Sequence, residues 1–256
     1  MLQYFYAMEQ DKKSGYYVKI KYNRIYQKRN GRKVMKGKLI VLEGIDGSGK
    51  ATQSSLLEKY LLAAGKSVMH VSFPDYGSLS SAPIKMYLDG EFGHSPEDVN
   101  PYAASLLYAV DRFASFRTKW KDFYENGGIV IADRYTTSNM VHQMTKYDDR
   151  EKREEFLSWL ECTEYGKLEL PRPDLVVLLD VPLSVSKKLV LERARQGGSM
   201  DIHEQHMEYL SKCCAAYQEL CEKYGWVRIA CADEKGLRKP EDISNEVARQ
   251  VRSLLS

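Results

Sequence analysis

Seven consecutive residues, Gly44-Ile45-Asp46-Gly47-Ser48-Gly49-Lys50, combine three glycines with one carboxylate and one lysine. Glycines at these positions let successive backbone N–H groups turn inward around a phosphate. A lysine at the seventh reaches β- and γ-phosphate oxygens. Such a loop needs a buried strand before it and a helix after it, because the helix N-terminus adds partial positive charge to the amides. Both are written in the chain. Leu39-Ile40-Val41-Leu42 is a short apolar run, and residues 50–64 contain neither glycine nor proline. Gly44, Ile45, Asp46, Gly47, Ser48, Gly49, Lys50, Ala51 and Thr52 are therefore the expected binding site for a nucleotide's phosphates.

One position departs from the usual loop. The residue after the lysine is ordinarily Ser or Thr, whose hydroxyl ligates magnesium, and here it is Ala51. Metal binding would rest on carboxylates and phosphates, with Asp46 and Asp133 as the candidate ligands. Asp133 belongs to a second chemical run, Ile129-Val130-Ile131-Ala132-Asp133-Arg134-Tyr135, which reads as a buried strand delivering an acid, a base and an aromatic to the sheet edge. Phosphoryl transfer brings two anions together, so cationic groups such as Lys50 and Arg134 supply most of what a protein can contribute. Tyr108 and Arg112 are four residues apart and share a helix face, which places an aromatic platform beside a fork of N–H donors. Asn139 offers a donor and an acceptor, which can match the hydrogen-bonding edge of a nucleobase.

The elements that must position these groups alternate. Strands are expected at 39–42, 67–73, 129–132, 175–180 and 226–230, and helices at 50–64, 101–124, 183–195 and 203–224. Short β-rich runs separated by helices imply a five-stranded parallel sheet covered on both faces, the three-layer P-loop fold, with ligands at the C-terminal strand ends. A break at Gly197-Gly198, preceded by Arg193 and Arg195, divides the last two helical stretches.

Composition narrows the class. The 256 residues are 43% hydrophobic and 29% charged, as in ordinary globular proteins, and no apolar stretch is long enough to span a membrane. The expected location is the cytoplasm. The five cysteines include the adjacent pair Cys213 and Cys214 and no CxxC spacing, which suits free thiols better than a metal site or disulfides. The net charge of +3 is unevenly spread, for residues 1–38 hold 11 Lys and Arg against Glu9 and Asp11. Residues 1–34 form a basic, tyrosine-rich extension with one candidate strand, where Val18, Ile20 and Tyr22 alternate with Lys19 and Lys21. Met35 is the expected start of the main domain, 35–256. A disordered extension or a small family-specific addition is expected, ahead of a nucleic-acid arm.

Several runs, in order over about residues 38–254, resemble the thymidylate kinase family of nucleoside monophosphate kinases. The loop 44–53 is similar to that family's P-loop, in which Asp46 would approach the acceptor's 3′-hydroxyl and metal. Phe73-Pro74 resembles its FPxx motif, and Leu107 to Arg112 its helix with Tyr108 stacked on thymine and Arg112 aimed at the base. Asp133 to Asn139 is similar to its DRY segment, with Arg134 on the acceptor phosphate and Ser138 and Asn139 facing the pyrimidine. His142 stands where the family often has an aromatic near the sugar, and Asp75 where many members have an arginine. Lys85, from the following helix, is a candidate to share the phosphate grip. Residues of about 193–203 resemble the lid, whose arginines, Arg193 and Arg195, would touch the transferring group.

The resemblance implies phosphorylation of dTMP by ATP with Mg2+, catalysed by Lys50, Asp46, Arg134, Arg193 and Arg195, in a homodimer. Two other readings stay open. A deoxynucleoside kinase would need a carboxylate base, for which Asp75 is available. A nucleotide-binding regulatory protein is suggested by Ala51, although no NKxD guanine motif follows the fourth strand.

Overall fold

The computed structural model describes residues 5–10, 17–22, 36–195, 202–234 and 236–256. The chain divides into two units, Met1–Met35 and Lys36–Ser256. In the first, β1 (Phe5–Gln10) pairs antiparallel with β2 (Tyr17–Tyr22), Ala7 lying opposite Ile20. The strand expected at 18–22 thus has a partner. Its partner was hidden because Phe5-Tyr6-Ala7-Met8 is apolar without alternation.

In the second unit, β3 (Lys38–Glu43), β4 (Val68–Ser72), β5 (Ile129–Asp133), β6 (Leu175–Asp180) and β7 (Val227–Ala230) form a parallel sheet in the order β4-β5-β3-β6-β7. The expected class is the observed one. β3 lies between β5 and β6: the chain runs from β3 out to β4 and back to β5 on one side, then crosses over to β6 and β7 on the other, so the strand order reverses beside β3. That is a topological switch point, where a crevice opens for ligands.

Residues of β3 alternate between two covered faces. Ile40 and Leu42 join Ile131, Val177 and Leu179 on one face, packed by Leu57 and Leu61 of α1 (Lys50–Ala63) and by Val247 and Val251 near the C-terminus. Leu39 and Val41 join Val130, Ala132 and Trp120 on the other. Every residue of β3 after Lys38 is buried, which is why the run is continuously apolar until Glu43.

The remaining helices are α2 (Ala82–Leu88), α3 (Pro101–Ser115), α4 (Lys121–Glu125), α5 (Thr136–Met144), α6 (Arg150–Glu161), α7 (Leu183–Arg195), α8 (Ile202–Gln205), α9 (Met207–Tyr224) and α10 (Pro240–Leu255). Local chemistry sets their ends. The Asn100 side chain accepts from Tyr102 N before Pro101, and α9 stops at Gly225, whose φ of 66° is left-handed.

Two expected helices are interrupted. Residues 101–124 become α3, a π-turn at Phe116–Trp120 and α4. Residues 203–224 are split at His206, whose extended φ and ψ of −107° and 94° separate α8 from α9. The Gly197-Gly198 break lies outside the described residues.

Candidate active site

The loop between β3 and α1 depends on glycine at Gly44, where φ is 146° and an added Cβ would sit 2.7 Å from the Leu179 carbonyl. Gly49 follows at φ 87°, so the chain enters α1 from a left-handed residue. Lys50 is buried with its Nζ donating to the carbonyls of Gly44 and Ile45 at 2.9 and 3.0 Å. Its position inside the loop is therefore fixed. The Ile45 side chain turns away into the core beside Val141 and Tyr217. Ser186 of α7 donates to the Asp46 carbonyl at 2.6 Å and ties that helix to the loop.

Asp46, Lys50 and Arg134 form one charged group. Arg134 Nη2 lies 2.6 Å and Lys50 Nζ 3.9 Å from Asp46 Oδ1. Burial alone would raise the Asp46 pKa, but Arg134 and Lys50 outweigh it and hold the carboxyl far below its usual range. Burial, then the Arg134 charge, pulls Lys50 down to about 8, with Asp46 partly offsetting them. Arg134 itself has a φ of 66°, unusual for a residue with a side chain, and is held there by its N–H on the Leu42 carbonyl at 3.1 Å. Backbone strain of this kind concentrates at sites where a side chain must be aimed.

Two buried glutamates grip the first turn of α5. Glu43, the last residue of β3, accepts from Thr137 Oγ1 at 2.5 Å, Ser138 Oγ at 2.8 Å and Tyr217 OH at 2.9 Å. Glu164, on a π-turn at Cys162–Lys167, accepts from Thr136 Oγ1 at 2.6 Å and pairs with Arg112. Carboxylates beside a helix N-terminus also meet its favourable dipole.

Asp46, Lys50 and Arg134 line a cavity of about 650 Å³, with Glu43 and Glu164 buried behind it. Of the expected phosphate-loop residues, Asp46, Gly47, Gly49, Lys50, Ala51 and Thr52 line it, while Gly44, Ile45 and Ser48 stand behind. Phe73, Pro74, Tyr108, Arg112, Arg134, Ser138, Asn139 and His142 all line it, as does Asp133. Arg193 and Arg195 fall in the last turn of α7. Arg195 is exposed and does not line the cavity, and the Arg193 side chain and residues 196–201 lie outside what is described.

The thymidylate kinase family model matches residues 42–243. The chain belongs to the thymidylate kinase family. The thymidylate kinase of Mycobacterium tuberculosis (strain H37Rv) is 34% identical over 195 residues, covering 73% of this chain and 87% of that protein. That of Prochlorococcus marinus (strain NATL2A) is 28% identical over 228 residues, covering 86% and 99%. The solved structure of Candida albicans thymidylate kinase shares the fold, with a TM-score of 0.63 at 21% identity over 85% of this chain and 92% of that one.

Membership of the thymidylate kinase family makes this chain a phosphotransferase and draws attention to residues that sequence reading passed over. Gln143 is fully buried, lines the cavity, and neither its Oε1 nor its Nε2 has a hydrogen-bond partner among the described residues. It lies four residues after Asn139 on the same helix face, a spacing that could have revealed it. His203, to which the sequence assigned no role, also lines the cavity. Its ring stacks on His142 at 5.2 Å and on Tyr209 at 5.1 Å, and its Nε2 lies 3.1 Å from Tyr87 OH. Burial pushes the His203 pKa down to about 3 and His142 well below its usual value, so both rings are neutral at physiological pH.

Asp75 is placed differently from what a nucleoside kinase needs. Its carboxylate pairs with Lys119, its N–H donates to Asp111, and it does not line the cavity. Lys85 does line it, and its Nζ donates to the Tyr76 carbonyl at 2.9 Å. The donor set suits magnesium at one carboxylate better than at the other. The Asp133 carboxylate makes no hydrogen bond or ion pair among the described residues and Asp133 lines the cavity, whereas the Asp46 carboxylate is engaged by Arg134.

Proposed function

We propose that these cavity residues serve this chain's reaction, the ATP-dependent phosphorylation of dTMP to dTDP, in the following roles. The loop 44–52 holds the ATP phosphates, with Lys50 on the β- and γ-oxygens. Arg134 exchanges its bond to Asp46 for the acceptor phosphate and the transferring group. Tyr108 stacks on thymine, Arg112 donates to O4, and Asn139 and Gln143 complete the base edge. Ser138 holds the turn that presents Asn139, and neutral His142 packs against deoxyribose. Phe73 and Pro74 wall the acceptor site. Arg193 and Arg195 act from the lid.

Mg2+, when bound, neutralises charge on the phosphates, and Asp133 with Asp46 would hold it. The attacking phosphate oxygen of dTMP is already ionised near neutrality, so no carboxylate base is required. The observation that carries the reading is that one cavity joins Lys50 and Arg134 to Tyr108, Asn139 and Gln143.

Three further points are part of the proposal. Leu106, Val110 and Phe113 line one face of α3 and are 45%, 56% and 38% exposed, which supports a homodimer formed through that helix. No described helix is long and apolar enough to cross a membrane, and all five cysteines are free, which fits the cytoplasm. Residues 1–34 stand outside the catalytic unit, so a chain beginning at Met35 should keep its activity.

A coupled ADP-release assay over nucleosides and nucleoside monophosphates tests the assignment. dTMP should be the best acceptor, and dUMP, lacking the 5-methyl group, should be worse by about 1 to 3 kcal/mol in kcat/KM. Turnover of thymidine with none of dTMP would move the chain to the nucleoside kinases.

A further inference from the structure

Arg112 is 1% exposed, yet it lines the cavity. Its Nε donates to Glu164 Oε2 at 2.7 Å and its Nη2 to Glu164 Oε1 at 2.5 Å, a two-point contact with a fully buried carboxylate. Its Nη1 points to the Tyr135 carbonyl at 3.5 Å. Two parallel bonds fix the plane of a guanidinium as one bond cannot. Glu164 is fixed in turn by the Thr136 hydroxyl, on the residue that opens α5. The π-turn that carries Glu164 follows α6, so it is far in sequence from both Arg112 and Thr136. A buried pair of this kind has an electrostatic effect too. Glu164 cancels the Arg112 charge, which leaves Lys50 and Arg134 as the cationic centre for the nucleotide's phosphate.

We infer that Glu164 is a positioning residue for acceptor choice: it locks the plane of Arg112 so that its free N–H groups select a carbonyl over an amino group at pyrimidine C4. The inference rests on the proposed reading of Arg112 as the group that meets the base. An amino group there would bring N–H against N–H, and a guanidinium that cannot turn away leaves that clash unrelieved. Loosening the guanidinium lets it rotate, which weakens the bond to O4 and relieves the clash with an amino group. Selectivity should therefore change more than turnover.

The test uses the full chain as Glu164→Gln, Thr136→Val and Arg112→Lys. Measured for each are kcat and KM for dTMP, KM for ATP, and the inhibition constant of dCMP. For Glu164→Gln the ratio of the dCMP inhibition constant to the dTMP KM should fall by about tenfold or more, with KM for dTMP raised and kcat and KM for ATP nearly unchanged. Thr136→Val removes one bond to the carboxylate without stranding a charge, and should shift the same ratio the same way by about two- to threefold. If Glu164→Gln does not fold, because removing one partner strands a buried Arg112 charge, Thr136→Val decides the matter. A ratio unchanged in Thr136→Val, or a fall in kcat for dTMP with that ratio unmoved in Glu164→Gln, would overturn the positioning role. If Arg112→Lys leaves KM for dTMP unaltered, it is the reading of Arg112 that fails.

Discussion

Two arginine–carboxylate pairs face the same cavity and are built to opposite specifications. Arg112 and Glu164 are joined at two points and their side chains are 1% and 0% exposed. Arg134 and Asp46 share one close contact, and their side chains are 17% and 26% exposed. Removing a partner from the first would leave a bare charge in a low-dielectric interior, so that pair is permanent. The second can trade its contact for a phosphate oxygen at little cost, because solvent and Lys50 already share Asp46. On the proposed reading, the cavity separates a fixed arginine that would meet the base from an exchangeable one that would meet phosphate. Each is expected to fail differently when altered.

The largest effect belongs to the exchangeable group. Lys50→Ala removes a charge-assisted contact to the transferring phosphoryl group and should lower kcat by about a hundredfold or more. The fold should survive, since Lys50 bonds only to loop carbonyls and lies 3.9 Å from Asp46. Single-turnover kinetics with thermal unfolding alongside checks both parts. Near-full activity, or loss of folding, would end the account of this loop.

Arg134→Lys comes next. A lysine keeps the charge but not the planar fork, so kcat should drop by about ten- to a hundredfold while thermal stability changes little. If kcat held and only KM for dTMP rose, Arg134 would be a ground-state anchor and not a group that meets the transferring phosphoryl.

The pH profile gives a smaller and more specific effect. Lys50 has a pKa of about 8 in the folded chain against 10.5 for the ordinary side chain. Phosphate binds the protonated form, so kcat/KM for ATP should be level below pH 8 and fall above it by at most about tenfold per unit. The stability sign is the reverse. Between pH 8 and 10.5 the unfolded chain holds a proton that the folded one has released, so folding stability gains from this residue as pH rises there. Lys50→Arg, which stays protonated, should flatten the fall. A decline that persists in that variant would assign the titration to another group.

The exchangeable half of the cavity was legible in the sequence and the fixed half only in part. Glycine spacing, an apolar run and a following helix define the phosphate loop locally, and Asp133-Arg134 closes the next strand of the sheet, so short-range pattern sufficed. Arg112 was found as a donor, but its partner stands 52 positions away on a π-turn with no signature of its own, and no spacing announces it. His203 was missed for a similar reason, since its place beside His142 is set by how α8 packs. Gln143 was within reach, because it repeats the face of Asn139 one turn later. The helix breaks at Phe116 and His206 depend on packing that no propensity encodes.

The smallest effect probes the carboxylate that holds the turn without touching either arginine. Glu43 accepts three hydroxyls, from Thr137, Ser138 and Tyr217. Burial, with the charge of Glu43 added, raises the Tyr217 pKa well above its usual value, so its phenol remains a donor throughout the physiological range. Tyr217→Phe deletes one of the three bonds and keeps the ring in the core beside Val141 and Leu220. The carboxylate retains two donors on α5, so the turn carrying Ser138 and Asn139 should not move. Stability should fall by about 1.5 to 3 kcal/mol, the range for a hydrogen bond to a charged group, with kcat and KM for dTMP held within about twofold. Urea unfolding and steady-state kinetics on the same preparation measure both. A selective rise in KM for dTMP would show that Glu43, like Glu164, transmits its geometry to the base site, and the division between a fixed and an exchangeable half would have to be redrawn.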